Sequence, residues 1–445
     1  MSNANDNAGK PVSPERRDLI SALAGGAALS ILSGQAMAAQ MLTGIPSNSK
    51  LGPGKGVLSW DEYVDMLRPA GELVQRLWEP TSDTQRIELY RQFLMNISMG
   101  YFLYFQADYD HPDWMPFMNS VFLAQPNPDD VYLMTRIRGT GTYRISGDRG
   151  TVHILNLSTG KNMIGIQDEL GPGYNDYDAD KFDINPDGSF EVIFSTERPQ
   201  GYTGNWRYLH PEAEFILARQ RSYDWGNERE ARMAIERLDA PAIKPRMSQD
   251  ETERNVRALM HFARRLSKWA LDYRDRLVKQ APINTIYMGK HFSSGNSKEW
   301  DQYYWEGTYR IEPDEALIFE TELPTVRPYW NAMMIDYIWN QIEYVYRQSS
   351  LNGHQARIDS DGKFRAVVSL EDPGVHNWLD TGGFTEGQIM GRWLRCNSQP
   401  LPTLKKVKFA DIRKHLPADT PSISAEERLA SLRARRIGAQ LRRRW

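Results

Sequence analysis

Hydrophobic positions along this chain repeat at two different periods, and the period changes at definable places. From Ser59 to about Phe105 apolar residues recur every three or four positions, with Ile87, Tyr90, Leu94, Ile97 and Tyr101 forming one stripe of a helix. Ser59 with Glu62, and Ser82 with Gln85, have the spacing at which two side chains reciprocally cap a first helical turn. A second helical pattern opens at Ser248 with Glu251 and runs through Val256, Leu259, Phe262, Leu266, Trp269, Tyr273 and Leu277. A third closes the chain behind Ser424 and Glu427, with Ala430, Ala434, Ile437, Leu441 and Trp445 on one side and seven arginines from Arg428 to Arg444 around the rest. Such a helix is expected to lay its apolar side across its own protein as a strap, the alternative being a membrane or anionic surface.

Between these helices the period is two. Val152–Leu157, Phe190–Phe194, Phe215–Ala218, Leu317–Leu323 and Phe364–Val368 are rich in branched and aromatic residues and are broken by Asp-Gly, Pro-Gly and Gly-Gly turns. A parallel α/β sheet would need a helix after nearly every strand. The pattern therefore predicts a mainly β protein: two tandem jelly-roll-like antiparallel sandwiches with a helical N-terminal part and a C-terminal helix.

The two modules read as a duplication. GTYRI stands at positions 141 and 307, 166 apart; DGSFEVIFSTERP (187–199) answers DGKFRAVVSLEDP (361–373), 174 apart; Asn205-Trp206 answers Asn377-Trp378, 172 apart. The resulting division is a signal peptide (1–38), a linker (39–58), a helical segment (59–106), the first sandwich (107–246), a connecting helix (247–281), the second sandwich (282–400) and a tail with a basic amphipathic helix (401–445).

The leader bears on compartment. Arg16-Arg17 precede a mild apolar run, Leu19–Leu32, too short to span a bilayer, and Ala36-Met37-Ala38 supplies the small residues of a cleavage site. This resembles a twin-arginine export signal, although Leu19 stands where a bulky aromatic is usual. It implies a periplasmic protein beginning at Ala39, with no transmembrane span in the mature chain.

Charge and composition mostly exclude. A formal net charge of −3 gives no support to nucleic-acid binding, and the single cysteine, Cys396, excludes an internal disulfide and a Cys-based zinc site. The eight histidines show no HxH or HExxH spacing, so no metal and no cofactor is expected. Asp176, Asp178 and Asp180 are spaced like the start of a calcium loop, but Lys181 replaces the required Gly, which favours a solvated turn. Serine-nucleophile, Walker and dinucleotide fingerprints are absent. Oligomeric state is left open.

In the second module GTYRIEPDEALIFETELP, PYWNAMMIDYIW, SLNGHQARIDSDGKFRAVVSLEDPGVHNWLDTGG and GRWLR follow one another, and over residues 307–395 the chain resembles domain-of-unknown-function family 1214. QPNPDDVYLMTRI upstream is similar to the entry strand of a partner family, 1254. The resemblance implies paired jelly rolls behind a helical N-terminal part, similar in outline to some glycan-processing enzymes, and no particular reaction. Phe384 departs from the histidine usual at that place in the family.

Residues present in one copy only are the better candidates for a single site. Glu320 and Glu322, where the 166-residue offset puts Ile154 and Asn156, point to one strand face and form a carboxylate pair able to raise one another's pKa; Asp380 answers Tyr208. These three are the candidate acid and base groups, with an exposed polar strand face as the alternative for the glutamates. Tyr309, Trp330, Asn377, Trp378, Arg392 and Trp393 offer flat apolar faces beside planar hydrogen-bonding groups, which suit a neutral sugar or an aromatic ring. The competing reading makes the tryptophans core and Arg392 the internal partner of Asp380. Three functions remain: small-molecule binding, a carboxylate-dependent glycosidase or lyase, and a structural envelope protein.

Overall fold

The computed structural model describes residues 59–76, 83–106, 108–118, 127–162, 165–168, 171–289 and 300–442. The leader, the Ala39 terminus, Ser82 and Trp445 lie outside them.

Strand order shows the duplication directly. In the first module a five-stranded sheet runs β1(Met115–Pro116)-β2(Asp130–Arg136)-β8(Phe215–Arg221)-β4(Ile154–Gly160)-β5(Gly173–Asp178). A four-stranded sheet, β7(Asn205–Tyr208)-β6(Ser189–Ser195)-β3(Tyr143–Asp148)-β9(Arg232–Arg237), packs on it. The second module repeats this strand for strand: β10(Thr285–Gly289)-β11(Gln302–Arg310)-β17(Glu386–Leu394)-β13(Tyr329–Ile335)-β14(Ser350–Asn352), with β16(Trp378–Asp380)-β15(Phe364–Ser369)-β12(Glu315–Thr321)-β18(Thr403–Lys408). Pairing is antiparallel except β6–β7 and β15–β16, which are parallel.

The pentapeptide that announced the duplication is one strand out of register. Tyr143 opens β3 and pairs with Phe194, whereas Tyr309 lies in β11 and pairs with Gly387. The structural counterpart of Ile311 is Ile137: each donates its N–H to the carbonyl just before the eighth strand of its module, Glu214 (3.0 Å) or Thr385 (2.8 Å). From 137 to 311 is 174, the offset of the Asp-Gly pairs. Side-chain alternation satisfies either strand, and only the ladder hydrogen bonds decide which sheet a strand joins. At this offset Glu320 answers Ser146, because Ser146 faces Glu191 and Glu320 faces Arg365; Glu322 answers Asp148. Tyr208 does answer Asp380, since they pair with Ser195 and Ser369.

Each sandwich has its own apolar interior, and alternate residues of the two five-stranded sheets face each other across a third. There Tyr132, Met134 and Leu217 meet Tyr304, Met333, Ile335 and Met390, and the helices close one end. Five α-helices are described: α1(Trp60–Asp65), α2(Gly71–Gln75), α3(Asp83–Tyr101), α4(Gln249–Gln280) and α5(Ala425–Leu441). α4 follows its sequence pattern, with Ser248 accepting from Glu251 N and Leu259, Phe262, Leu266, Tyr273 and Leu277 buried.

The other two long helices turn the expected faces around. On α3, Ile87, Tyr90, Leu94 and Tyr101 of the apolar stripe are exposed; the buried face carries Gln85, Leu89, Gln92, Asn96 and Met99. Gln92 donates to Asn340 Oδ1 (2.7 Å) and Ile338 O (3.1 Å), and Asn96 to Ser267 Oγ (2.8 Å), so the amide N–H groups find acceptors inside while the amide oxygens are buried without a partner. α5 has the predicted capping box and does pack as a strap, but Ala430, Ala434, Ile437 and Leu441 face out. Arg428, Arg435 and Arg442, seven residues apart, point in: to Asp372 and Val375 O, to Tyr344 O and Ser350 O, and to Glu230, Pro128 O and Asp129 O. Among the described residues no helix is long and apolar enough to cross a membrane.

Candidate functional site

The residues nominated in the second module are dispersed through its scaffold. Tyr309, Trp330 and Trp393 are buried in the sandwich interior with Trp305, Phe319 and Phe364, the Trp330 ring 4.8 Å from that of Phe364 and 6.1 Å from that of Trp393. Asn377 ties three backbone groups, donating to Arg357 O (2.6 Å) and Arg365 O (2.7 Å) and accepting from Arg357 N (2.9 Å). Asn205 does the same in the first module, to Asp183 O and Glu191 O and from Asp183 N. Trp378 donates to Ser369 O (3.2 Å) beneath the Arg428 guanidinium. These aromatic groups therefore do not line one common cleft: Tyr309, Trp330 and Trp393 fill the space between two sheets, and Trp378 lies under Arg428 of α5.

The carboxylates are likewise separate. Lys363 lies between Glu320 (2.9 Å) and Glu322 (3.2 Å), and Arg365 holds Glu320 at 2.6 Å. The Lys363 hydrogen bond, with help from Arg365, pulls the Glu320 pKa down, against the upward shift expected of a close carboxylate pair. Asp380 is buried and accepts from Arg347 Nη1 (3.0 Å) and Gly382 N (2.8 Å); burial pushes its pKa up. Arg392 is not its partner. It projects from β17 of the five-stranded sheet toward Asn331 and Met333, whereas Asp380 ends β16 of the other sheet. The acidic run behaves as structure: Asp178 pairs with Arg395 (2.8 Å), Asp180 with Arg149 (2.7 Å), and Asp176 accepts from Ser158 (2.5 Å).

A sizeable concavity lies in the first module. A cleft of about 1030 Å³ opens between the inner face of the β2–β8 sheet and the β3–β9 edge of its partner. Leu133 and Gln220 come from one sheet, Ser146–Asp148 and Ala231–Ala234 from the other, Trp114 from the segment before β1, and Leu441 from the end of α5. The second module explains why the cleft exists. Val131 pairs with Gln220 on β2 and β8; at the equivalent place on β11 and β17, Trp305 pairs with Gly391. Gly391 lacks the Cβ that would collide with the Trp305 ring, so the indole lies over it and plugs that sandwich. In the first module a valine replaces the plug and a glutamine replaces the glycine.

That glutamine carries the chemistry. Gln220 is 1% exposed, and its Oε1 is buried without a hydrogen-bond partner, as is Nε1 of Trp114; Ser222 Oγ, on the same face of the strand, is also buried and unpartnered. Gln220 and Trp114 both line the cleft, and a buried polar atom left unpaired ordinarily costs about 1–3 kcal/mol. Gln220 and Trp114 offer an amide and an indole N–H to the cleft, beside the charged Asp148, Glu228, Arg229, Glu230 and Arg232 that also line it. Sequence comparison missed them because the 166-residue offset aligned the wrong strands; at 174 the exchange of Trp305 for Val131 is legible.

A model of the family described as a protein of unknown function, DUF1214, matches residues 134–224. The match lies on the first copy, from β2 to just beyond β8, whereas the motifs that resemble the family in sequence lie at 307–395. Only residues 134–137 of the segment similar to family 1254 fall within this match, which leaves that likeness untested. No curated protein matches the chain. Among solved structures, an uncharacterised protein from Burkholderia cenocepacia is similar over 79% of this chain and 97% of its own, with 27% identity and a TM-score of 0.72. A protein from Vibrio parahaemolyticus covers 72% of this chain and 98% of its own at 9% identity and a TM-score of 0.39, too distant to argue from.

Proposed function

We propose that this chain is an exported double-sandwich protein that binds a neutral, hydroxyl-bearing ring, a carbohydrate or a hydroxylated aromatic, in the cleft of its first module. The observation that carries the reading is the Gln220 side chain, 1% exposed with its Oε1 unpaired, at the wall of a cleft of about 1030 Å³. A ligand hydroxyl can accept from and donate to an amide at once, and the neighbouring Trp114 adds an N–H and a flat face for ring C–H groups. Glu320 and Glu322 favour binding over hydrolysis, since the cation between them opposes the split pKa values an acid–base pair needs.

Gln220→Leu tests this with two readouts. Leucine keeps the bulk and removes the unsatisfied amide, so the melting temperature should hold or rise, while calorimetric binding of whichever neutral sugar or phenol stabilises the native protein should fall by about tenfold or more. Unchanged affinity in the variant would overturn the reading. Export is tested separately by mass spectrometry of the periplasmic fraction: a chain beginning at Ala39 supports it, and an intact Met1 in the cytosol refutes it. Arg16→Lys with Arg17→Lys should retain the precursor inside.

A further inference from the structure

The layer where the two five-stranded sheets face each other contains four arginines, three of them with an aspartate beside them. Arg221 is held by Asp130 through two bonds of 2.7 Å, Arg219 stands 3.8 Å from Asp176, and Arg395 stands 2.8 Å from Asp178. Arg392 has no ion-pair partner among the described residues. It is only 3% exposed, yet its Nη1 meets nothing stronger than Asn331 Oδ1 at 3.5 Å and Met333 Sδ at 3.1 Å, and its guanidinium lies 5.2 Å from the centre of the Tyr304 ring. Nε and Nη2 find no acceptor among the described residues. These two groups form one edge of the guanidinium, the edge a carboxylate takes with two parallel hydrogen bonds.

An arginine cannot shed its proton to escape burial, and a buried charge without a counter-ion costs several kcal/mol. The other three show how this protein meets that cost where no ligand is wanted: it places an aspartate. At the pseudo-equivalent place the two modules differ in this respect, for Arg221 faces Asp130 across its ladder whereas Arg392 faces Tyr304. The same sheet face carries Met333 and Met390 paired on adjacent strands, adaptable thioethers that accommodate an apolar body.

We infer that Arg392 is the anchor of a second ligand site, between the modules, for a small organic carboxylate with an apolar or aromatic body. The site is separate from the first-module cleft, because none of its residues lines that cleft.

The test compares benzoate with benzamide, its neutral isostere, on the native full chain in chloride-free buffer, by thermal shift and calorimetry. Benzoate should stabilise the protein and benzamide should not; equal effects of the two, or none from benzoate and a series of short carboxylates, would overturn the assignment. Arg392→Met should lose roughly tenfold to a hundredfold in benzoate affinity while the ligand-free chain keeps its native far-UV circular dichroism. Retained affinity in that variant would also overturn it. Stabilisation by inorganic phosphate or chloride alone refutes the carboxylate class. Gln220→Leu should leave the benzoate response unchanged, which separates failure of this site from failure of the other.

Discussion

Removing the Asp130 carboxylate is the sharpest perturbation of how the modules are held. The Arg221–Asp130 pair is bidentate, with side chains 2% and 0% exposed, and Arg221 also donates to Gln302 Oε1 of the second module (3.0 Å) and lies 4.1 Å from the Tyr329 ring centre. Tyr132 OH donates to the same carboxylate at 3.0 Å. Asp130→Ala would leave Arg221 charged, buried and unpaired and the tyrosine hydroxyl without its acceptor, which should cost about 3–5 kcal/mol. Asp130→Leu with Arg221→Met removes both charges, and should fall within about 1 kcal/mol of the native protein or above it. Urea unfolding followed by far-UV circular dichroism, with tryptophan fluorescence as a second probe of two-state behaviour, measures both. The reasoning is refuted if Asp130→Ala loses less than about 1 kcal/mol, for Arg221 would then have water or another anion within reach. Acid should act on the same pair. Burial works against the Asp130 charge, but Arg221 overcomes it and holds the pKa below the usual range, so the pair's contribution is present above the unfolded carboxylate pKa of about 3.9 and is lost as pH falls through the folded value.

Asp336 should produce the opposite slope: burial raises its pKa to about 7, so its contribution is fully present below about pH 4 and is lost as pH rises to about 7. Melting curves across that window should flatten in Asp336→Asn, and an unchanged slope would remove Asp336 as the cause. Gly391→Ala drives a methyl group into the Trp305 ring and the Asn331 carbonyl, and should cost about 1–3 kcal/mol or more by chemical denaturation, whereas Gly374→Ala, with open space around it but a positive φ, should cost less. Arg428→Met cuts the strap from Asp372, Gln348 and two carbonyls and should raise proteolytic cleavage near residue 424; equal resistance to protease would show that α5 does not depend on its arginines.

What the sequence determined by itself is local or repetitive: strand periodicity, the turn signals, the caps at Ser248 and Ser424, and a duplicated unit whose Asp-Gly and Asn-Trp pairs keep their register. These follow from backbone sterics and nearest-neighbour hydrogen bonds, which act within a few residues. Which face of a helix goes inward is a different kind of fact. The stripes of α3 and α5 are visible in the chain, yet both face out, because the body offers Asn340 and Ser267 to the amides of one, and Asp372, Glu230 and backbone carbonyls to the arginines of the other. Those partners are distant in sequence. The sites were hidden for the same reason: Gln220 differs from its counterpart because Trp305 is absent from its module, and Arg392 differs from Arg221 because Tyr304 stands where an aspartate would. A missing plug and a missing counter-ion have no signature in the residue itself; only the tertiary structure, which decides what lies opposite each side chain, brings them into view.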